Sequence, residues 1–469
     1  MQIGVTFRIL GALLLFFSAT MLPPIAVSLL YQDGAYEVFV KSMVTIFLSG
    51  ATLWFVFRNY QKELKTRDGF LITVLCYLAL GCFSALPFYD AVLLDLTLAD
   101  AFFESFSGLT TTGSTVIVGL DQLPASLLYY RQQLQWLGGM GIVVLVVAVL
   151  PSLRASGLGL IDAEAPGEGA DRLAPKVVDT ARQFWGVYGI LTIVTAVALL
   201  GAGMNPFDAV AHALTSISTG GFSTHSQSIG YFDSLAVELV IMAIVVIAAA
   251  SFTLHHRSYR SRRFEHFGDP EFRWYLGLLS GWTVAVAALL AFDGMGWLRA
   301  LRMSAFNVVT LGTSGGFGNA TEAGSSGDFA AWAAGPQVLL LLLLVVGGCT
   351  GSTAGGIKVT RLRIGAAHAY RALRAMRRPR AVLHVRYGKG VVAEPLVELV
   401  AGFMVVFGMF AVLGTLLVAA LGTALVTAFT GVISALGNMG PAFGEAGPTA
   451  SFVDGYSTPA RLVLAALML

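Results

Sequence analysis

Apolar residues fall in long blocks along this chain. Blocks recur at about 9–31, 36–57, 69–88, 127–151, 184–203, 234–256, 273–293, 333–357 and 391–420. Each is long enough for a helix to cross a bilayer, which takes roughly 20 residues. A tenth block begins near Ser457 and stops at Leu469, too short to span, so the last helix is expected to be incomplete as given. Between some blocks lie shorter segments: ADAFFESFSGLTTTGST, NPFDAVAHALTSISTGGFST, WLRALRMSAFNVVTLGTSGGFGN and TALVTAFTGVISALGNMGPAFG. Each carries about three turns of helical periodicity and then a Gly/Ser/Thr tail. That pattern predicts a helix that enters the membrane part-way, followed by a loop.

The tails align on Gly113, Gly221, Gly316 and Gly440, spaced by 108, 95 and 124 residues. A period near 100 residues met four times is an internal repeat of the form helix, re-entrant loop, helix. The expected organisation is 1–66 (two N-terminal spans), then units at 67–155, 156–265, 266–389 and 390–469. The fold class is therefore an all-α polytopic membrane protein with four pseudo-symmetric units around one path.

Composition agrees with this class. The 469 residues are 56% apolar and 12% charged, against roughly 25% charged in soluble domains. The net charge of +2 carries no nucleic-acid signature. Cys76, Cys82 and Cys349 lie in apolar or Gly-rich stretches and suggest neither disulfides nor a metal site. The first block lacks a small-residue cleavage site and reads as a span. Lys and Arg gather after even-numbered spans: Arg58, Lys62, Lys65 and Arg67; four arginines in HHRSYRSRR; ten Lys/Arg and no Asp/Glu over 358–389. By the positive-inside rule these ends face the cytoplasm, as does the N-terminus, and the re-entrant loops enter from outside.

Non-helical backbone at membrane depth must be buried in protein or line a watery cavity. Four loops meeting on one axis would present a ring of carbonyl oxygens able to replace the water shell of a dehydrated monovalent cation, as potassium filters do. Glycine lets consecutive carbonyls turn inward through φ > 0. The predicted ion-contacting residues are Thr111, Thr112 and Gly113; Ser218, Thr219, Gly220 and Gly221; Thr313, Ser314, Gly315 and Gly316; and Gly437, Asn438, Met439 and Gly440. Taken singly, each loop also reads as an ordinary helix C-cap. Glu104 is expected to accept backbone N–H bonds behind the first loop, Asp208 to act as a helix-start residue or a functional carboxylate, and His212 to be a packing residue.

The stretch GGCTGSTAGGIK, Gly347 to Lys358, resembles a phosphate-binding loop only superficially. That motif needs Lys directly after the last Gly and then Ser or Thr, whereas Ile357 intervenes and Val359 follows. Following VLLLLLLVV, it reads instead as a break in a spanning helix. Gly347, Gly348, Gly351, Gly355 and Gly356 weaken the helix at roughly 1 kcal/mol each relative to alanine. Thr350, Ser352 and Thr353 can bond the freed backbone groups. The break is expected to lie across the path as a gate. VVAVLPSL and IMAIVVIAAASF carry no comparable break. Lys358 is either a cation beside the path or a residue snorkelling to the interface.

Together, TTTGST, STGGFSTH, GTSGGF and LGNMGP resemble the four filter signatures of the Trk/Ktr superfamily of potassium transporters, in particular the TrkH type. The likeness covers nearly the whole chain, including two extra N-terminal spans. It implies a K+ uptake subunit, permeable also to Rb+, in a bacterial inner membrane. It also implies a homodimer and a cytoplasmic TrkA-type regulatory ring that binds NAD or ATP. It places Arg461 beside the path, near the broken third unit. Gly315 stands where a bulkier residue is expected. No covalently bound cofactor is implied. The alternative is a secondary transporter with broken helices, coupling a small substrate to Na+ or H+; four same-sense repeats argue against it. No intramembrane Asp pair, HExxH or Ser/Lys dyad points to an enzyme.

Overall fold

Helices account for nearly all regular structure in the computed structural model, which describes residues 3–60, 66–155, 173–378, 380–381, 383–388, 390–448 and 450–469. Lys62, Lys65, Lys389 and residues 156–172 at the start of the expected second unit lie outside the described residues. The N-terminal part is α1 (Ile3–Ala19), α2 (Leu22–Tyr31) and α3 (Tyr36–Phe57). Next come α4 (Thr66–Ser84), α5 (Leu86–Asp90), α6 (Leu98–Leu109) and α7 (Ala125–Ala155). They are followed by α8 (Leu173–Gly201), α9 (Pro206–Ile217), α10 (Leu235–Ala248) and α11 (Phe252–Ser261). Then follow α12 (Pro270–Phe292), α13 (Trp297–Gly312), α14 (Ala334–Leu343) and α15 (Val359–Arg377). The chain closes with α16 (Glu394–Ala420), α17 (Leu425–Gly437), α18 (Phe452–Gly455) and α19 (Thr458–Leu467). A two-residue hairpin, β1 (Arg386–Tyr387) with β2 (Gly390–Val391), pairs antiparallel before α16.

Among the described residues, six helical stretches are long and apolar enough to cross a membrane, and α10 with α11 would pass as a pair bent by 92°. Four helices are different in kind. α6 and α9 have 12 residues, α17 has 13 and α13 has 16. At 1.5 Å per residue, 12 residues reach about 18 Å, little more than half of a ~30 Å hydrocarbon core. Their last turns are buried in every case. α6 starts where the Thr97 side chain accepts the Asp100 N–H, and α9 where Asn205 accepts the Asp208 N–H, so both N-termini carry a side-chain cap.

Two spans break differently from expectation. The stretch IMAIVVIAAASF is not one continuous helix: α10 stops at Ala248 and the chain turns 92° into α11. Tertiary bonds replace the missing helix bonds there. The Ala249 carbonyl accepts the Cys349 N–H at 2.8 Å, and the Phe252 N–H donates to the Gly351 carbonyl at 3.0 Å. In the third unit the helix ends at Leu343, before the first glycine, while the run is still apolar. Val346 instead forms a parallel bridge with Ile357, with Gly347 N–H donating to Ile357 O and Ile357 N–H to Val345 O, each at 3.0 Å. The non-helical segment is therefore 344–358.

Candidate functional site

Each of the four short helices ends in the same hydrogen-bond pattern. The N–H groups of Thr112, Gly220, Gly315 and Met439 donate to the carbonyls of Ser107, Thr215, Thr310 and Ser434, five residues back. One residue earlier, Thr111, Thr219, Ser314 and Asn438 donate three residues back, to Gly108, Ser216, Leu311 and Ala435. These are Schellman caps. The left-handed residue is not glycine in any of them: Thr111, Thr219, Ser314 and Asn438 have φ of 58°, 52°, 52° and 50°. For Thr, branched at Cβ, this conformation is an outlier. The glycines lie two residues later and are also at positive φ: Gly113 87°, Gly221 82°, Gly316 67° and Gly440 98°. Each loop thus alternates left-handed, ordinary and left-handed backbone.

The four glycines line one vestibule, with Ser114, Ser223, Ser228 and Pro441 beside them. They also close a ring. A Cβ built on Gly113 would strike the Gly220 carbonyl oxygen; on Gly221, the Gly315 oxygen at 2.7 Å; on Gly316, the Met439 oxygen at 2.7 Å; on Gly440, the Thr112 oxygen at 2.9 Å. Every clash is with backbone of the next loop, and the order 1–2–3–4–1 is complete. The Ser114 hydroxyl donates to the Gly440 carbonyl at 2.7 Å, and Thr112 Oγ1 to Asn438 Oδ1 at 2.6 Å, tying loops one and four. Helix C-termini beside the ring contribute partial negative charge, which favours a cation.

Behind the ring, at the position nine residues before the glycine, a side chain braces the helix against its outgoing loop in three of the four units. Glu104 is fully buried, accepts from Thr115 Oγ1 at 3.0 Å and from the Val116 N–H at 3.0 Å, and pairs with Arg131 Nε at 2.7 Å. His212 Nε2 meets Ser223 Oγ at 2.8 Å. Asn307 Nδ2 donates to Asn319 Oδ1 at 3.0 Å. In the fourth unit Gly431 leaves room for the Tyr456 hydroxyl, which donates to Thr427 O at 2.6 Å. Asp208 holds several groups: Asn205 Nδ2 and Thr224 Oγ1 donate to it, and His225 Nε2 lies 3.1 Å away.

Arg131 was legible only as a charge at the edge of a span. It is 1% exposed, donates to the Ser223 carbonyl at 3.1 Å and stacks its guanidinium 4.2 Å over Phe222. Gln135, one turn on, donates to the Gly220 carbonyl at 2.6 Å and accepts the Phe222 N–H at 3.0 Å. The polar run RQQLQ inside an apolar helix was the available signal, since intramembrane polar groups are expensive. At the vestibule, His225 sits between Asp121 at 2.5 Å and Asp208 at 3.1 Å, stacked on Tyr231. Burial pulls its pKa down, but the bonds to Asp208 and Asp121 outweigh this and hold it above the ordinary histidine value.

Segment 344–358 lies against the helix ends, on the side of the ring away from the vestibule. Thr353 Oγ1 donates to Ile217 O or Ala248 O, and Thr219 Oγ1 donates to it at 3.3 Å. The Gly355 N–H donates to Ser314 Oγ at 2.6 Å and the Gly356 N–H to Gly437 O at 2.7 Å. Three of the four loops are thus held from below. A Cβ on Gly355 would strike the Gly437 carbonyl, and one on Gly347 the Gly355 carbonyl. Gly348 packs on Ala249, and Ser352 Oγ donates to Cys349 O at 2.6 Å. Thr350, exposed, donates through both N–H and Oγ1 to Glu271, which also accepts the Thr360 N–H at 3.1 Å. Lys358 folds back to the Ala354 carbonyl of its own segment.

Arg461 is placed elsewhere than the resemblance implies. It sits in the first turn of α19, its Nε 2.9 Å from Asp100 Oδ1 at the start of α6, and Nη2 donates to Thr458 Oγ1. Among the described residues no bond links it to 344–358. The ion pair pins α19 to the opposite end of α6 from the glycine ring.

The profile of the TrkH family, described as cation transport protein, matches residues 35–469. The Trk system potassium uptake protein TrkH of Halomonas elongata is 43% identical over 472 residues, covering 100% of this chain and 96% of that protein. That of Escherichia coli K12 is 40% identical over 441 residues, covering 93% and 90%. The crystal structure of the potassium transporter TrkH from Vibrio parahaemolyticus aligns with a TM-score of 0.90 at 40% identity, covering 100% of this chain and 96% of that one. Matched in sequence and in fold along almost its entire length, the chain belongs to the TrkH family of cation transport proteins, a family of transporters and not of enzymes.

Proposed function

We propose that this chain is the K+-conducting subunit of a potassium uptake system. The observation that carries the reading is the closed ring of four glycines, each packed against the backbone of the next loop. That contact leaves a backbone-lined constriction with no room for a side chain. Oxygens from Thr112, Gly220, Gly315, Met439 and their neighbours are suited to replace the water shell of a K+ or Rb+ ion. The homologues named as potassium uptake proteins support the choice of K+ over other cations.

Segment 344–358 is the gate in this reading. It holds three of the four loops from the inner side, through Thr353, Gly355 and Gly356, and a small set of hydrogen bonds at about 1 kcal/mol each would have to break for it to leave. Lys358 serves the gate by capping the Ala354 carbonyl. Arg461 is not part of the gate. The Arg-rich helix α15, continuous with the end of the segment, is the surface on which a TrkA-type ring binding NAD or ATP would act. The chain works as a homodimer in the bacterial inner membrane, with its N-terminus and α15 cytoplasmic and the vestibule outside.

Uptake of radioactive Rb+ into proteoliposomes, competed by K+, tests the reading; no such flux with or without the regulatory ring overturns it. Deleting part of 349–355 is expected to raise basal flux. Gly316→Ser is expected to relax the preference for K+ over Na+, and an unchanged preference would count against the ring as selectivity filter.

A further inference from the structure

Helix α11 is built for a membrane surface more than for a core. It follows α10 after the 92° turn, so it runs across the span direction and not along it. One face is fastened. Phe252 and Leu254 are buried, and the Phe252 N–H donates to the Gly351 carbonyl. His255 Nε2 lies 2.9 Å from the Ile247 carbonyl, and His266 Nε2 lies 3.0 Å from His255 Nδ1. A carbonyl only accepts, so His255 carries its proton on Nε2 and accepts on Nδ1 from His266. This chain fixes the angle of α11 to α10.

The other face is bare. Tyr259, Phe264 and Phe267 are 77%, 67% and 61% exposed. Arg260, Arg262 and Arg263 are exposed and form no ion pair among the described residues; Arg257 alone is held, by Glu265 at 2.9 Å. The next helix starts at Pro270 and carries Trp274, 56% exposed, with the Arg363 guanidinium 4.6 Å over its ring. Unpaired guanidinium groups interleaved with aromatic rings, beside the end of a spanning helix, match the chemistry of a lipid headgroup layer. An acidic protein surface would satisfy the arginines but not three exposed rings beside the end of a spanning helix.

We infer that α11 and the turn Arg262–Phe267 form a binding surface for the headgroups of anionic phospholipids. This rests on the cytoplasmic orientation proposed above. The surface is wired to the gate segment through two backbone bonds, Phe252 N–H to Gly351 O and Cys349 N–H to Ala249 O. Lipid that steadies α11 therefore steadies 344–358.

Native mass spectrometry of the purified full chain in detergent tests the surface, with phosphatidylglycerol and phosphatidylcholine as probes. The wild type is expected to retain phosphatidylglycerol preferentially. The triple variant Arg260→Gln, Arg262→Gln, Arg263→Gln is expected to bind it on the order of a hundredfold more weakly, at about a factor of five per arginine. The corresponding triple Lys variant keeps the charge and is expected to stay within a few-fold of wild type, which also shows that the site tolerates substitution. Equal retention by wild type and the Gln variant overturns the proposal, and so does equal loss in the Lys variant. A Gln variant that keeps the lipid but loses its flux response to a cytoplasmic protein partner identifies a protein dock and overturns it as well. Retention is read without ion flux, so failure of the K+ reading would not mimic failure here. A membrane-impermeant label on Ser261→Cys in oriented vesicles reads the orientation separately.

Discussion

The first and fourth loops share a backbone and almost nothing else. Thr111 and Gly113 sit at φ 58° and 87°, Asn438 and Gly440 at 50° and 98°. Behind the first loop stands a buried ion pair, Glu104 with Arg131; behind the fourth, a glycine whose place is filled by the neutral Tyr456 hydroxyl. The ring requires one backbone shape from all four loops, because each glycine packs on its neighbour's carbonyl. What lies behind each loop only has to hold that shape, so acid, imidazole, amide and phenol serve in turn. Identical geometry is imposed where the loops meet, and chemical freedom returns one layer back.

The strongest way to break this comparison is at the ring. Gly113→Ala and Gly440→Ala each place a Cβ against backbone that cannot withdraw, on top of ~1–3 kcal/mol of strain at positive φ. Both are expected to lower Rb+ flux in proteoliposomes strongly and to relax the preference for K+, as at Gly316, and a tolerated Gly440→Ala would end the equivalence of the loops. Next in size, Glu104→Gln leaves Arg131 buried and uncompensated, a loss of about 3–5 kcal/mol, read as a large drop in melting temperature in detergent. Replacing both partners together, Glu104→Leu with Arg131→Met, should recover part of that loss. Tyr456→Phe removes one neutral hydrogen bond and is expected to cost only about 1 kcal/mol; a cost equal to that of Glu104→Gln would show that the two braces are not different in kind.

Ser314→Ala and Thr353→Ala each weaken the hold of the loops on segment 344–358, the proposed gate. At about 1 kcal/mol per bond, basal flux should rise roughly fivefold in each case. The smallest effect is expected at the vestibule. The His225 pKa is raised in the fold, so its clamp on Asp121 and Asp208 is complete below the unfolded value of about 6.5. It is lost as pH rises through the higher folded value. Thermal stability should therefore decline over that interval, and His225→Gln should flatten the decline; an unchanged slope in the variant would remove His225 from the clamp.

Some of this was open to inspection in the residues. Apolar blocks of bilayer length, four short helices ending in Gly/Ser/Thr, and a glycine-rich break after VLLLLLLVV are local patterns, and Glu104 could be named as a partner for backbone N–H groups. The break after α10 could not be named. Ala248–Ser251 favours helix by composition, and it yields only because the 344–358 segment, a hundred residues away, offers its backbone better partners. Arg461 was misplaced for a related reason: a lone cation says that a partner exists, and only packing reveals that the partner is Asp100. Arg131 is the converse case, a charge at a span edge that the fold draws wholly inside.

By itself the sequence determined the class of the molecule, four short helices each ending in a Gly/Ser/Thr loop, and one glycine-rich break, because these follow from period, length and the conformational range of single residues. Only the tertiary structure decided which carbonyl each glycine faces, which charges pair and where the second break falls. Those outcomes depend on distances between units roughly 100 residues apart, and no local propensity carries that information.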